Sequence, residues 1–279
     1  MFGYIILRDI PKEEAQLDVA IYEIKGGFRG FAEVKPGIHF VTIKDDGQMV
    51  DGFWCEVKSN DAVIKRYDYR TKSFVDCEPE EHFRYKDMAV SGAMNHVLIP
   101  VMTQSHSLVQ FWEELTSHLK YENFPFSLNK EEPMTPPTNL TPKELEEWYL
   151  TTFKSRFEQA FQDTHKRDMF SFFEEIQYAF ILYVLFKDEQ AYDRFFHLIQ
   201  AVYNAGERSV TNAPGFFSGF LDIIRKQFNT IKAEDFTPEN KLIANLSNLL
   251  EDMEDLGNRP LKEKSSDFKE YLNERGIQI

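Results

Sequence analysis

The chain has 279 residues, 42% of them hydrophobic and 15% aromatic, which is enough for one large domain or two ordinary ones with a packed core. Its net charge of −14, with basic runs no longer than pairs such as Lys65-Arg66, argues against nucleic acid as a direct ligand, because clustered cations bind phosphate backbones. Two cysteines, Cys55 and Cys77, form no CxxC pair; this excludes a thiolate zinc site at ordinary spacing and indicates a reducing compartment.

No segment predicts secretion or membrane insertion. The N-terminal apolar run lacks a basic start and a small-residue cleavage site, so we interpret it as a first strand. The most apolar segment, residues 176–186, is shorter than a bilayer requires. We therefore expect an intracellular protein without membrane contact.

Residues 1 to about 85 consist of short β-branched or aromatic runs separated by turn residues. Alternating apolar and polar residues, as in VIKRYDY, are typical of half-exposed antiparallel strands. Closely spaced short strands predict a sandwich or small barrel and not β-α-β units. The runs are YIIL, VAIYEI, GIHFVTI, GFWCEV, DAVIKRYDY and SFVDCE.

A helix is predicted over 107–119, with Ser107 as its N-cap and Trp112 among its apolar residues. It completes a predicted β-rich N-terminal domain of residues 1–121. Residues 122–140 contain four prolines and no periodicity, which predicts an extended linker. Residues 141–279 then predict an α-helical domain with a short tail.

Caps and apolar faces mark the helices of this second domain. Thr141 and Glu144 form a capping box, with proline at the first helical position. Residues 172–186 are apolar nearly all round, which predicts a buried central helix. Further helices are predicted over 191–205 with Gly206 as C-cap, over 215–231, from Thr237 to Gly257 and, briefly, in the tail.

The sequence contains no HExxH pair and no GxSxG, Walker or GxGxxG loop, so we predict no catalytic, metal or cofactor site. His39 lies between Ile38 and Phe40, and the favoured interpretation places it away from the core or hydrogen-bonded at a sheet edge. A catalytic base or a metal ligand is the alternative. Glu174 and Glu175 begin the most buried helix, where carboxylates suit the positive helix end, although paired carboxylates also perform acid–base chemistry.

Most Phe and Tyr residues of the helical domain are predicted to pack in its core. Phe268, Tyr271 and Leu272 in the tail are predicted to stay at the surface and are candidates for partner binding. An acidic chain favours a basic protein partner, because complementary charge speeds encounter.

Six segments in chain order resemble the AAR2 family of pre-mRNA splicing factors. YIILRDIPK resembles the family's first strand, and FRGFAEVKPGIHFVTI resembles its FRG and PPGIHF-type strand, with Lys35 in place of the first proline. GFW at 52–54, a WxxLT helix from Trp112, the TPKEL helix start and the block EEIQYAFILYVLFKDEQAYDRFFHLIQAVYNAGE follow. The signature residues, which we expect to be mostly structural, are Phe28, Arg29, Gly30, Pro36, Gly37, His39, Phe40 and Trp112.

This resemblance implies an α+β protein: an N-terminal antiparallel β-sandwich-like domain followed by a superhelical, VHS-like α-helical domain. It implies a non-enzymatic assembly chaperone of the U5 snRNP that binds the scaffold Prp8 through its RNase H-like and Jab/MPN domains. The expected protein is a monomer when free, needs no cofactor, and acts in the cytoplasm and nucleus.

Two alternatives stay open. The chain could be an intracellular adaptor of the same fold with a different partner, because its loops and tail are shorter than the family's. It could also be an enzyme with an acidic cleft that uses His39, Glu174 or Glu175.

Overall fold

A computed structural model describes residues 1–11, 14–24, 26–123, 128, 135–236 and 242–279. The chain divides into two units, Met1–Phe124 and Pro125–Ile279. The first unit contains two β-sheets and the second is helical, so the predicted fold class is confirmed.

The strands of the first unit are short and mostly coincide with the predicted runs. Those in the described residues are β1 (Gly3–Arg8), β2 (Glu14–Leu17), β3 (Ala20–Glu23), β4 (Gly30–Val34), β5 (Gly37–Asp45), β6 (Gln48–Val57), β7 (Ala62–Asp68), β8 (Ser73–Asp76) and β9 (Leu98–Pro100).

The two sheets differ in strand direction. The four-stranded sheet, in the order β3-β2-β5-β6, is antiparallel throughout. The alternating run VIKRYDY lies almost entirely in β7 of the other sheet, which pairs antiparallel with β8 but parallel with β1, so the antiparallel prediction for this run is confirmed on one side only. The five-stranded sheet, in the order β8-β7-β1-β4-β9, contains the parallel pairs β1–β7 and β4–β9. Parallel neighbours need crossover connections, which a local sequence pattern does not reveal.

The core of the first unit lies between the sheets. Ile5 and Phe31 from the five-stranded sheet belong to the same buried cluster as Leu17, Val41 and Val57 from the other sheet. This is the arrangement of a β-sandwich, in which alternate side chains of both sheets fill the space between them.

Two helices pack on the strands of this unit. Helix α1 (Pro79–Val90) was not predicted, although proline in its first turn and two following glutamates are helix-start signals. Helix α2 (Val101–Leu115) begins before the predicted Ser107. Its early start is stabilised by Glu33, whose carboxylate accepts from the backbone N–H and the hydroxyl of Thr103.

The second unit is built from amphipathic helices around a buried one. Its α-helices in the described residues are α3 (Pro142–Glu158), α4 (Met169–Phe186), α5 (Glu189–Tyr203), α6 (Glu207–Asn212), α7 (Pro214–Phe228), α8 (Leu246–Leu256) and α9 (Arg259–Glu274).

Some helix boundaries confirm the predictions and others correct them. The capping box of Thr141 and Glu144 is present, with both reciprocal hydrogen bonds. Gly206 is not the C-cap of α5: Asn204 holds that position, and Gly206 precedes α6. The predicted helix start at Thr237 lies outside the described residues, and α8 begins only at Leu246, after Asn245 adopts a left-handed conformation.

Helix α4 is long and apolar enough to cross a membrane by length and composition, which corrects the expectation of a shorter segment. Ten consecutive residues of it, Phe172–Ile181, are buried within the unit. Phe157, Phe161 and Phe216 contact its N-terminal half, with ring centroids 4.9–6.3 Å apart among these residues and Phe172. This packing is that of the predicted central helix of a folded domain.

Candidate functional site

His39 lies on β5, an interior strand between β2 and β6, and only 4% of it is exposed. Its Nδ1 is 2.7 Å from Oδ2 of Asp18, and its Nε2 is 2.7 Å from the backbone oxygen of Lys35. The expectation of an outward or edge position is therefore wrong. The polar ring is accommodated because both of its nitrogens have hydrogen-bond partners.

These partners determine the protonation of His39. A carbonyl oxygen only accepts, so Nε2 carries a hydrogen, while Nδ1 shares a second proton with the Asp18 carboxyl group. Burial alone lowers the pKa of His39, but the charge of Asp18 and the two hydrogen bonds raise it above its ordinary value. Burial also raises the pKa of Asp18. The pair thus holds a proton inside the sandwich.

Asp18 connects the β2–β3 hairpin to the signature strand. It adopts a left-handed backbone conformation, with a φ of 58°, in the turn between these strands. Its Oδ1 accepts a 2.9 Å hydrogen bond from the backbone N–H of Phe40, next to His39. The pair therefore fixes the turn against β5, which is a structural role.

The buried pair gives the protein a specific pH dependence. Because the pKa of His39 is raised on folding, the contribution of His39 to the free energy of unfolding is complete below about pH 6.5, the ordinary histidine value. It is lost as the pH rises through the folded pKa, and a pKa raised by one unit corresponds to about 1.4 kcal/mol. Urea unfolding from pH 6 to 9 should show this loss in the wild type and not in His39→Gln. Parallel profiles of the two proteins would contradict the assigned pair.

Trp112 joins α2 to the same strand. Its Nε1 donates a 2.8 Å hydrogen bond to the backbone oxygen of Ile38, and its ring stacks on Trp54 at a centroid distance of 6.2 Å. Trp54 in turn contacts Phe40 at 5.1 Å. Glu113, the next residue of α2, pairs with Lys35. The segment that contains PGIHF and the helix that contains Trp112 therefore pack directly against each other.

The backbone conformation of the FRG segment requires glycine at position 30. The φ of Gly30 is +132°, and a Cβ atom there would lie 2.0 Å from the backbone oxygen of Ile5, so only glycine fits. Phe28 packs on Phe31, with ring centroids 5.4 Å apart. The side chain of Arg29 is exposed.

Pro36 lies in an exposed bend directly before β5, and Gly37 is the exposed first residue of that strand. Together with Arg29, they are the signature residues that are exposed on the surface of the first unit. The other signature side chains are buried or half-buried.

A second buried cluster lies in the helical unit. Glu175 accepts hydrogen bonds from Nε2 of His165 and Nε of Arg194, both at 2.8 Å, one on each carboxylate oxygen. Nδ1 of His165 is 2.8 Å from the hydroxyl of Ser171. Burial alone raises the pKa of Glu175, but these two partners outweigh it and lower the pKa to about 2. Glu175 is therefore ionised at neutral pH and links α4 to α5.

The tail residues predicted to bind a partner are buried instead. Phe268, Tyr271 and Leu272 are 2%, 6% and 1% exposed on α9, which packs against α7 and α8. They share the inward face of α9 with Leu261 and Ser265, and this i, i+4, i+7 and i+11 spacing was the signal for burial.

Arg275 is a structural residue that the sequence did not reveal. Its guanidinium donates to the backbone oxygens of Phe228 at 2.7 Å and Ile231 at 2.6 Å. Phe228 is the last residue of α7 and its oxygen also accepts from the N–H of Ile231, which lies three residues beyond the helix, so Arg275 holds the turn that follows α7. Ile277 follows and is buried, and its N–H donates to the backbone oxygen of Leu272, so the chain packs on its own unit up to this residue.

Within the described residues, no group of three or more His, Cys, Asp or Glu could hold a metal ion. His39 and Glu175, the candidates for acid–base chemistry, are buried in ion pairs. The arrangement thus defines a class: a β-sandwich unit and a helical unit, each fixed by a buried histidine–carboxylate pair.

Comparison with known proteins identifies the family within this class. A family model of the AAR2 N-terminal domain matches residues 2–125, and one of the AAR2 C-terminal repeat region matches residues 126–278. The chain therefore belongs to the AAR2 family of splicing-related factors. No curated protein matches it.

Proposed function

We propose that this protein is a non-enzymatic pre-mRNA splicing factor, an assembly chaperone that binds the scaffold protein Prp8 during U5 snRNP biogenesis in the cytoplasm and nucleus. The observation that carries the proposal is the match of both AAR2 family models, in order, along nearly the whole chain. Two matched regions in the family's order support a shared role better than a single motif does.

The charge of the chain supports a protein partner that normally holds RNA. With a net charge of −14, the protein can occupy a basic surface in place of phosphate. The RNase H-like and Jab/MPN domains of Prp8 are the proposed partners. Complementary charge of this kind accelerates association and makes it sensitive to salt.

The buried polar groups support binding and not catalysis. A general base must reach its substrate and titrate near the working pH. His39 is enclosed by strands, and both oxygens of Glu175 are taken by strong donors. These groups stabilise the fold that presents the surface.

Depletion of the protein from its source cells tests the splicing role. We expect intron-containing transcripts to accumulate and mature U5 particles to decrease, with both effects reversed by the wild-type chain. Normal splicing after complete depletion would contradict the proposal.

One observation favours the alternative of an adaptor with another partner. The resemblance implies a tail that adds a strand to partner sheets, whereas here α9 and Ile277 pack within the helical unit. An adaptor would leave splicing unchanged on depletion, so the same experiment distinguishes the two functions.

A further inference from the structure

Strand β3 is one edge of the four-stranded sheet. In an antiparallel ladder, residues alternate between those that bond to a neighbouring strand and those that point away from it. The backbone N–H of Asp18 donates to the oxygen of Phe40 on β5. The even-numbered residues of β2 therefore direct their backbone N–H and carbonyl groups toward β5, and the odd-numbered residues direct theirs toward β3. Leu17 and Ala15 therefore bond to their register partners on β3, Ala20 and Tyr22.

The alternate residues of β3 consequently direct their backbone groups outward. Ile21 lies opposite Gln16, in a pair that exchanges no backbone hydrogen bonds. Among the described residues, none is hydrogen-bonded to the N–H or the carbonyl of Ile21 outside this ladder. An edge with unpaired backbone groups is a template for another extended chain.

The side chain of Ile21 is also available. It is 54% exposed, which is unusual for isoleucine on a strand edge, where charged residues or proline commonly prevent pairing. A cavity of about 380 Å³ adjoins it. Its apolar lining includes Phe28, Val97 and Leu98, so it can accept a side chain of a docked segment that points to the same face as Tyr22.

The charges along the sheet define the chemistry of such a segment. Glu23 lies opposite Glu14, and Glu14 lies opposite Lys44 on the next strand. Carboxylates directly opposite each other are unfavourable in a sheet, whereas opposite charges are favourable. A cation on a chain added beside Glu23 would flank the two carboxylates as Lys44 does on the other side.

We propose that β3 is a docking edge for an extended segment of a partner protein, which adds as a further strand of this sheet. The segment carries an apolar residue opposite Ile21 and a lysine or arginine two positions away, opposite Glu23. Main-chain hydrogen bonds to Ile21 provide affinity, and the exposed side chains of Ile21 and Glu23, which face the residues opposite them, provide selectivity. This site does not depend on the identity of the partner named above.

Two substitutions at one position test the backbone contact. Ile21→Pro removes the outward N–H without removing a bond to β2, because edge strands tolerate proline where the N–H faces solvent. Ile21→Val keeps the N–H and an apolar side chain and is the matched control. The probe is a short fluorescein-labelled peptide of threonines in which a lysine is followed two positions later by valine, the order that an antiparallel added strand requires to place valine opposite Ile21 and lysine opposite Glu23.

We expect fluorescence anisotropy to show about tenfold weaker binding of this peptide to Ile21→Pro than to the wild type, and near-wild-type binding to Ile21→Val. Hydrogen exchange should show that the peptide protects the Ile21 amide in the wild type. Equal affinity of the two variants, or no binding by the wild type at millimolar peptide, would overturn the proposal.

A charge reversal provides a test that does not require Ile21→Pro to fold. Glu23→Lys should bind the lysine peptide more weakly than the wild type and prefer a matched peptide with glutamate in place of lysine. An unchanged preference would overturn the assigned register. If the wild type dimerises through this edge in sedimentation and Ile21→Pro does not, the occupant is a second copy and not a partner segment, which would overturn the proposal as stated.

Discussion

We expect Glu175→Ala to lower the free energy of unfolding by about 3–5 kcal/mol, because it leaves the buried guanidinium of Arg194 without its counterion. Arg194 and His165 both bond to this carboxylate at 2.8 Å, and all three side chains are buried. Urea denaturation at pH 7 measures the effect. Exposed Glu158 on α3 is the matched control, and its replacement by alanine should change stability by less than about 0.5 kcal/mol.

The same residue predicts a loss of stability in acid. The pKa of Glu175 is lowered on folding from 4.5 to about 2, so its contribution is present above pH 4.5 and is lost as the pH falls toward 2. Glu175→Gln should lack this part of the acid dependence. Comparable destabilisation by Glu158→Ala and Glu175→Ala would show that the cluster does not stabilise the helical unit.

Trp112→Ala should lower the free energy of unfolding by a similar amount, about 3–5 kcal/mol, because it removes a large buried side chain and leaves a cavity. The side chain is 2% exposed, stacks on Trp54 and donates to Ile38. Thermal or urea unfolding of the whole chain measures the loss. Trp112→Phe retains a ring without the Nε1 donor and should fall between the wild type and alanine.

The result for Trp112 also separates structure from partner contact. An effect of Trp112→Ala below about 1 kcal/mol would place the ring outside the core. Trp112 would then move from the structural signature residues to the candidates for partner contact.

Local chemistry made part of the fold predictable. The capping box is predictable because Thr141 and Glu144 are only three residues apart in the sequence. The strands are predictable because alternating apolar residues and flanking turn residues mark them locally. The continuous apolar run of α4 predicted its burial for the same reason. Each of these signals is contained within one element.

Features set by distant residues could not be predicted in this way. The partner of His39 is Asp18, 21 positions earlier, and only the pairing of β2 with β5 brings them together. Likewise, Glu175 meets Arg194 through the packing of α4 on α5. The helical spacing of the apolar residues in α9 is sufficient to predict that Phe268 is buried. The prediction of a short tail treated this segment as surface and was wrong for that reason.

Direct titration against the isolated RNase H-like domain of Prp8 from the same source, at low and moderate salt, tests the proposed role most directly. We predict a specific complex whose affinity falls as salt rises, because an acidic protein binds a basic surface. A folded protein that shows no binding at either salt concentration would contradict the proposed role and favour an adaptor with another partner.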